Sequence, residues 1–190
     1  MSSTEQQPNR LQSLATLRLA TWDAAFYTAF ATLVGGTFLV GYIKHIGGAD
    51  IWIGLLTAVP SLLGILQIPG AIIGRGYPTF KPYISKGGFF WRLCYVPFIP
   101  VALLPLDPGV KLGILLGCVA IASASWLMVT PIYNDWLAEM VEPNSRGWYF
   151  SRRNAVATAA GATAGMIGGF VLDQYRGTPR ESLGFAIIFA

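Results

Sequence analysis

The sequence predicts an all-α transmembrane protein: five complete membrane-spanning helices and the start of a sixth, bundled over 19–190 behind a polar tail of 1–18. Three observations predict it. The chain is 54% hydrophobic and only 12% charged, a balance outside that of soluble domains. Its charges gather in a few short stretches, leaving charge-free runs at 24–43, 51–74, 112–134 and 154–172. Each run is close to the roughly 20 residues that carry a helix across hydrocarbon.

The tail, with Ser2, Ser3, Gln6, Gln7 and Pro8, is too polar for the apolar core of a signal peptide, so the first span is expected to stay as an anchor. After 24–43, Gly47, Gly48 and Asp50 end one helix and cap the next. The run 51–74 follows. A further span is expected over 84–106, with Lys86 and Arg92 near its start and apolar residues beyond. Pro105, Asp107, Pro108 and Gly109 then form a turn into 112–134. The glycine-rich run 154–172 makes the fifth span. A sixth opens at Ser182 and stops at Ala190, and nine residues at about 1.5 Å each cover less than half of a core about 30 Å thick. The chain therefore reads as a fragment of a longer protein. Pro60, Pro69, Pro97, Pro100 and Pro131 interrupt spans two, three and four, where kinks need neighbouring helices or cavity water to satisfy the freed carbonyls.

Lys and Arg in alternate connections set the orientation. Eight lie in the tail, the connection after span two and the connection after span four, against four on the other side at Lys44, Lys111, Arg176 and Arg180. Cytoplasmic loops are the basic ones, so the N-terminus is expected in the cytoplasm of a protein of the cell (inner) membrane. Trp22, Trp52, Trp91 and Trp136 fall near predicted span ends, where amphipathic rings favour the headgroup region.

Several function classes find no support. Cys94 and Cys118 lie in spans without a CxxC partner, and His45 is the only histidine, so neither a metal site nor a disulfide framework is expected. The net charge of +4 has no soluble basic domain to hold it and reads as topology rather than nucleic-acid binding. No GxxxxGK(S/T) loop, HExxH, or GxSxG paired with histidine occurs, and no cofactor or enzymatic activity is expected.

Polar residues inside apolar spans carry two readings each. Asp23 is read as a carboxylate held by the positive end of the helix dipole, or as a titratable coupling site at a cavity mouth. Arg92 snorkels toward the cytoplasm or touches solute. Gln67 bonds another helix or a ligand. Thr28, Thr32, Ser61, Ser123, Ser125, Thr158 and Thr163 can return a hydrogen bond to their own helices, while Thr32, Ser61, Gln67, Ser123 and Thr158 stand as candidates for a substrate pathway. Asn134 and Asp135 close the fourth span as a solvated boundary or a solute contact. Gly161, Gly165 and Gly169 repeat every four residues, extended by Ala157, giving the fifth span a face that another helix can approach closely.

This order of features resembles the N-terminal half of a major facilitator superfamily transporter. The resemblance rests on the span order, the stretch from Gly70 to Lys81, the connection EPNSRGWYFSRRN and the glycine-rich fifth span ending in Gly168, Gly169 and Asp173. In the family's loop signature after helix two, Gly70 and Arg75 match, while Gly74 stands for the acidic residue and Tyr77 for a later glycine. Glu142, Pro143, Arg146 and Gly147 match the connection from helix four to five. The resemblance implies a secondary or facilitative transporter of a small solute. In it, Gly70, Arg75, Glu142, Arg146 and Gly147 belong to cytoplasmic gating loops, and helix three sits away from the central pathway. A second, C-terminal half completes that pathway. The partners expected are the lipid bilayer, an unidentified small solute and that second half, with no nucleic acid. The alternative is a membrane scaffold, or a half-size protein that dimerises through the glycine stripe.

Overall fold

The computed structural model describes residues 3–76 and 80–190, with side chains from residue 15 onward; Tyr77 of the loop signature lies outside them. Every regular element among these residues is helical: α1 (Ser3–Val34), α2 (Gly36–His45), α3 (Asp50–Leu62), α4 (Gln67–Arg75), α5 (Phe80–Leu93), α6 (Phe98–Leu103), α7 (Pro108–Met140), α8 (Arg146–Tyr175) and α9 (Glu181–Phe189), with 3-10 turns at Leu63–Leu66 and Pro143–Ser145.

Four stretches are long and apolar enough to cross a membrane: Ala15–His45, Asp50–Arg75, Pro108–Met140 and Pro143–Tyr175. That fits an integral membrane protein. The outward surface agrees, since Phe26, Leu62, Ile72, Met166 and Phe170 are all exposed, an arrangement that costs little in lipid and much in water.

Four spans replace the five complete spans expected. Over 84–106 the backbone is not one helix, because Pro97 and Pro100 lack the N–H groups that the carbonyls four residues earlier need. The chain tightens there into three-residue turns, with Tyr95 N–H donating to Arg92 O at 3.1 Å and Phe98 N–H to Tyr95 O at 3.0 Å. The 14 residues of α5 and the 6 of α6 are each too short to span alone. The last helix, α9, holds nine residues and starts at Glu181.

Two of the four spans are themselves jointed. In the first, Gly36 takes a φ of +47°, a left-handed conformation open to glycine at little cost, and α1 gives way to α2 there. The second passes through Pro60 within α3 and is rewound at Leu63–Leu66 before α4 resumes ahead of Pro69. By contrast α7 runs unbroken through Pro131.

Packing divides the bundle into two ends. α1 lies along α8, α7 is flanked by α3, α4 and α5, and α6 pairs with α9. One core gathers Tyr42, Ile43, Phe98, Leu115, Phe185 and Phe189, with the Tyr42 hydroxyl donating to the Val101 carbonyl at 3.1 Å. A smaller core at the other end holds Ala20, Val129, Tyr133 and Leu137. Glycines allow the close approaches. A Cβ at Gly70 would meet the backbone of Met128 on α7, and one at Gly161 would lie 2.9 Å from Thr28 Cγ2 on α1. Gly165 faces Thr32 at an ordinary 3.5 Å, whereas Gly169 meets nothing within 4 Å among the described residues.

Candidate functional site

Between the two cores α1 meets α7 at a layer of rings. Tyr27 of α1 stacks on Trp126 of α7 with centroids 4.9 Å apart. Trp91 of α5 closes on both, at 4.8 Å from Tyr27 and 5.9 Å from Trp126, and Phe30 and Tyr95 meet Trp91 edge-on at 5.4 Å each. Such tilted and edge-on pairs follow from the negative faces and positive rims of the rings.

Tyr27 and Trp126 line two cavities. The larger, about 320 Å³, has Gly35, Gly36, Leu56, Pro60, Tyr95 and Ser123 in its wall. It sits against the joint between α1 and α2, where two residues without side chains leave room. The smaller, about 210 Å³, is polar, with Asp23, Thr28, Thr130, Asn134, Arg153 and Asn154 in its wall. The stacked pair therefore lies in the walls of both clefts. The smaller, the polar chamber, carries the charged side chains, and the larger, the apolar chamber, none.

A chain of charges ties four helices around the polar chamber. Arg92 of α5 donates through Nη2 to Asp23 Oδ1 at 3.1 Å and through Nη1 to the Gly88 carbonyl at 3.2 Å. The Tyr133 hydroxyl of α7 donates to Asp23 Oδ2 at 3.5 Å. Arg153 of α8 donates through Nη2 to the Tyr133 oxygen at 3.2 Å and through Nε to the Ala20 carbonyl at 3.4 Å. The guanidinium carbons of Arg153 and Arg92 lie 5.5 Å from the Tyr133 ring and 5.8 Å from the Trp91 ring, within cation–π range.

This geometry bears on two expectations. Asp23 is not held by the helix dipole: even counted from Ala15 it lies two turns inside the first span, and the dipole's effect fades within the first turn. Its carboxylate is held by Arg92 instead. Arg92, which the sequence has snorkel toward the cytoplasm or touch solute, pairs with Asp23, and its helix supplies Trp91 to the wall of the larger cavity.

Of the five pathway candidates, Ser123 alone is in the wall of one of these two cavities. The Thr32 hydroxyl donates to the Thr28 carbonyl at 2.8 Å and faces Gly161 and Gly165 across the α1–α8 contact. Ser61, Gln67 and Thr158 are exposed and line neither cavity. Asn134 lines the polar chamber and Asp135 does not. The loop residues lie elsewhere. Gly70 is buried against α7, Arg75 ends α4, Glu142 precedes the turn Pro143–Ser145, and Gly147 opens on empty space. Arg146 donates to the Val141 carbonyl at 3.3 Å, and no ion pair joins these residues among those described. The rings that build the site escaped the sequence reading because an aromatic in an apolar span looks the same whether it faces lipid or a cavity. Arg153 stands in the sequence beside Arg152 among the charges of a connection, with nothing there to show that it reaches α1 and α7. No protein-family model matches the chain, and neither the curated proteins nor the solved structures contain a significant match.

Proposed function

We propose that this chain is one helical bundle of a secondary or facilitative transporter for a small solute, equivalent to the N-terminal half of a major facilitator protein. One observation carries the reading: a polar and an apolar chamber meet at the Tyr27–Trp126 stack within helices otherwise apolar enough to cross a membrane. Charged groups inside such helices are costly and mark solute or ion pathways. In this reading α5 and α6 together make a further crossing as a broken helix, and a crossing that begins with α9 completes the bundle. The N-terminus is cytoplasmic in the cell membrane, so the polar chamber faces the cytoplasm. A second bundle supplies the opposite wall, and rocking of the two about the stacked rings exposes the chambers alternately.

The test is uptake into proteoliposomes holding the full-length protein, across a panel of sugars, amino acids and organic anions. A transported solute should lose most of its uptake in Trp126→Ala while the variant keeps its fold. Uptake no faster than in protein-free liposomes for every member of the panel would leave the scaffold reading standing instead.

A further inference from the structure

Resting on the reading that the polar chamber receives a solute, the charge inventory around it names the solute's chemistry. We propose that this chamber binds a small organic monoanion, a carboxylate carried on a flat apolar body. One guanidinium, Arg153, and one carboxylate, Asp23, stand in its wall, and a second guanidinium, Arg92, reaches Asp23 from outside that wall. Asp23 is already paired with Arg92 at 3.1 Å. Arg153 meets only the Ala20 carbonyl and the Tyr133 oxygen, and no carboxylate pairs with it among the described residues. Tyr133 offers Arg153 no charge, because its one proton points to Asp23. Among the described residues one positive charge therefore has no countercharge on a membrane-crossing helix, where a countercharge is favoured.

The neutral groups agree with an anion. The hydroxyls of Thr28 and Thr130 donate to the Ala24 and Trp126 carbonyls at 2.8 Å each, so their hydrogens are committed. Donors remain on Arg153, whose fork suits a carboxylate, and on the amides of Asn134 and Asn154 in the same wall. Aromatic walls also attract cations, but here the rings of Tyr133 and Trp91 already carry the protein's own Arg153 and Arg92. What Tyr27 and Trp126 leave to a ligand is a flat apolar surface.

Three probes of one shape and different charge decide the matter: benzoate, benzyl alcohol and benzylamine, added to the full-length protein in detergent micelles without any gradient. Tryptophan fluorescence and thermal unfolding report binding. Benzoate should quench saturably and raise the unfolding temperature, the alcohol should do so weakly and the amine not at all. Arg153→Gln should weaken benzoate by about tenfold or more, the effect of losing a charge-assisted hydrogen bond, and Arg153→Lys should recover part of it. Equal response to benzylamine, no saturable response to benzoate, or undiminished binding by folded Arg153→Gln would each overturn the proposal. The three-probe comparison needs no variant, so it decides even where Arg153→Gln does not fold. Benzoate binding without uptake of any solute would defeat the transport reading alone; uptake by a protein indifferent to ligand charge would defeat this inference alone.

Discussion

Asp23 and Arg92 are each about half exposed, at 48% and 41% of the side chain, so their attraction is partly screened and their main cost arises when one is left without the other. Asp23→Asn and Arg92→Gln should each lower the unfolding temperature in detergent. The double variant should lose less than the two singles together, with a coupling of about 1 kcal/mol. Strict additivity would mean that the pair does not interact in the membrane protein. A second prediction concerns Gly70, where an added methyl group meets Met128 backbone atoms, including its carbonyl oxygen. Backbone cannot swing aside as a side chain does, so Gly70→Ala should destabilise by about 1–3 kcal/mol. Gly169→Ala, with open space around it, should be neutral or slightly stabilising because alanine favours helix. Equal unfolding temperatures for the two variants would show that α4 does not approach α7 this closely. Charge and glycine positions are thus visible in the sequence, but their partners are not. Arg92 lies 69 residues from Asp23 and Tyr133 lies 110, and only the crossing of helices brings them together.

Periodic glycines show a helix's approachable face and leave open how far along it the neighbour extends. On α8 the face toward the first span takes in Gly161 and Gly165 and leaves out Gly169, because eight residues at about 100° each turn Gly169 about 80° away from Gly161. Gly168, one position round, lies against Leu33 and Phe38 instead, with a Cβ there 2.8 Å from each. Gly161→Leu should therefore sharply reduce the yield of folded protein in the membrane, and Gly169→Leu should not. Comparable losses at both positions, measured by size-exclusion profile and thermal stability, would mean that another surface covers Gly169. Apolar run length located the four long spans well, since it measures what hydrocarbon requires of a helix. It failed over 84–106, where composition still reads as a span although two prolines, three residues apart, remove the bonds that would keep the helix continuous. The joint at Gly36 was equally hidden, because run length counts apolar residues and is blind to a positive φ.

Across the whole molecule, one ionic cluster lies toward the end of the bundle that holds the connections from α4 to α5 and from α7 to α8, and another lies at the opposite end. There Lys44 pairs with Asp50, and His45 Nδ1 stands 3.6 Å from Glu181 while its Nε2 meets Ser182 Oγ at 3.1 Å. The two ends differ in basic charge: eight Lys and Arg, Arg153 of the chamber among them, fall in the tail or in the connections and adjoining helix ends on the first side, against four on the second. In the proposed orientation, with the more basic end in the cytoplasm, the polar chamber at Asp23 and Arg153 faces inward and the apolar chamber at Gly35 outward. Single cysteines at Ser3 and Asp107, introduced where Cys94 and Cys118 have been changed to alanine, test that arrangement in intact cells with an impermeant thiol reagent. Asp107 precedes the first turn of α7 and is exposed, so a cysteine there is open to whichever compartment it faces. Labelling at Asp107→Cys with protection of Ser3→Cys until the cells are opened is the expected result. The reverse pattern would invert the molecule, turn the polar chamber outward and make an external solute, rather than a cytoplasmic one, the first to meet Arg153.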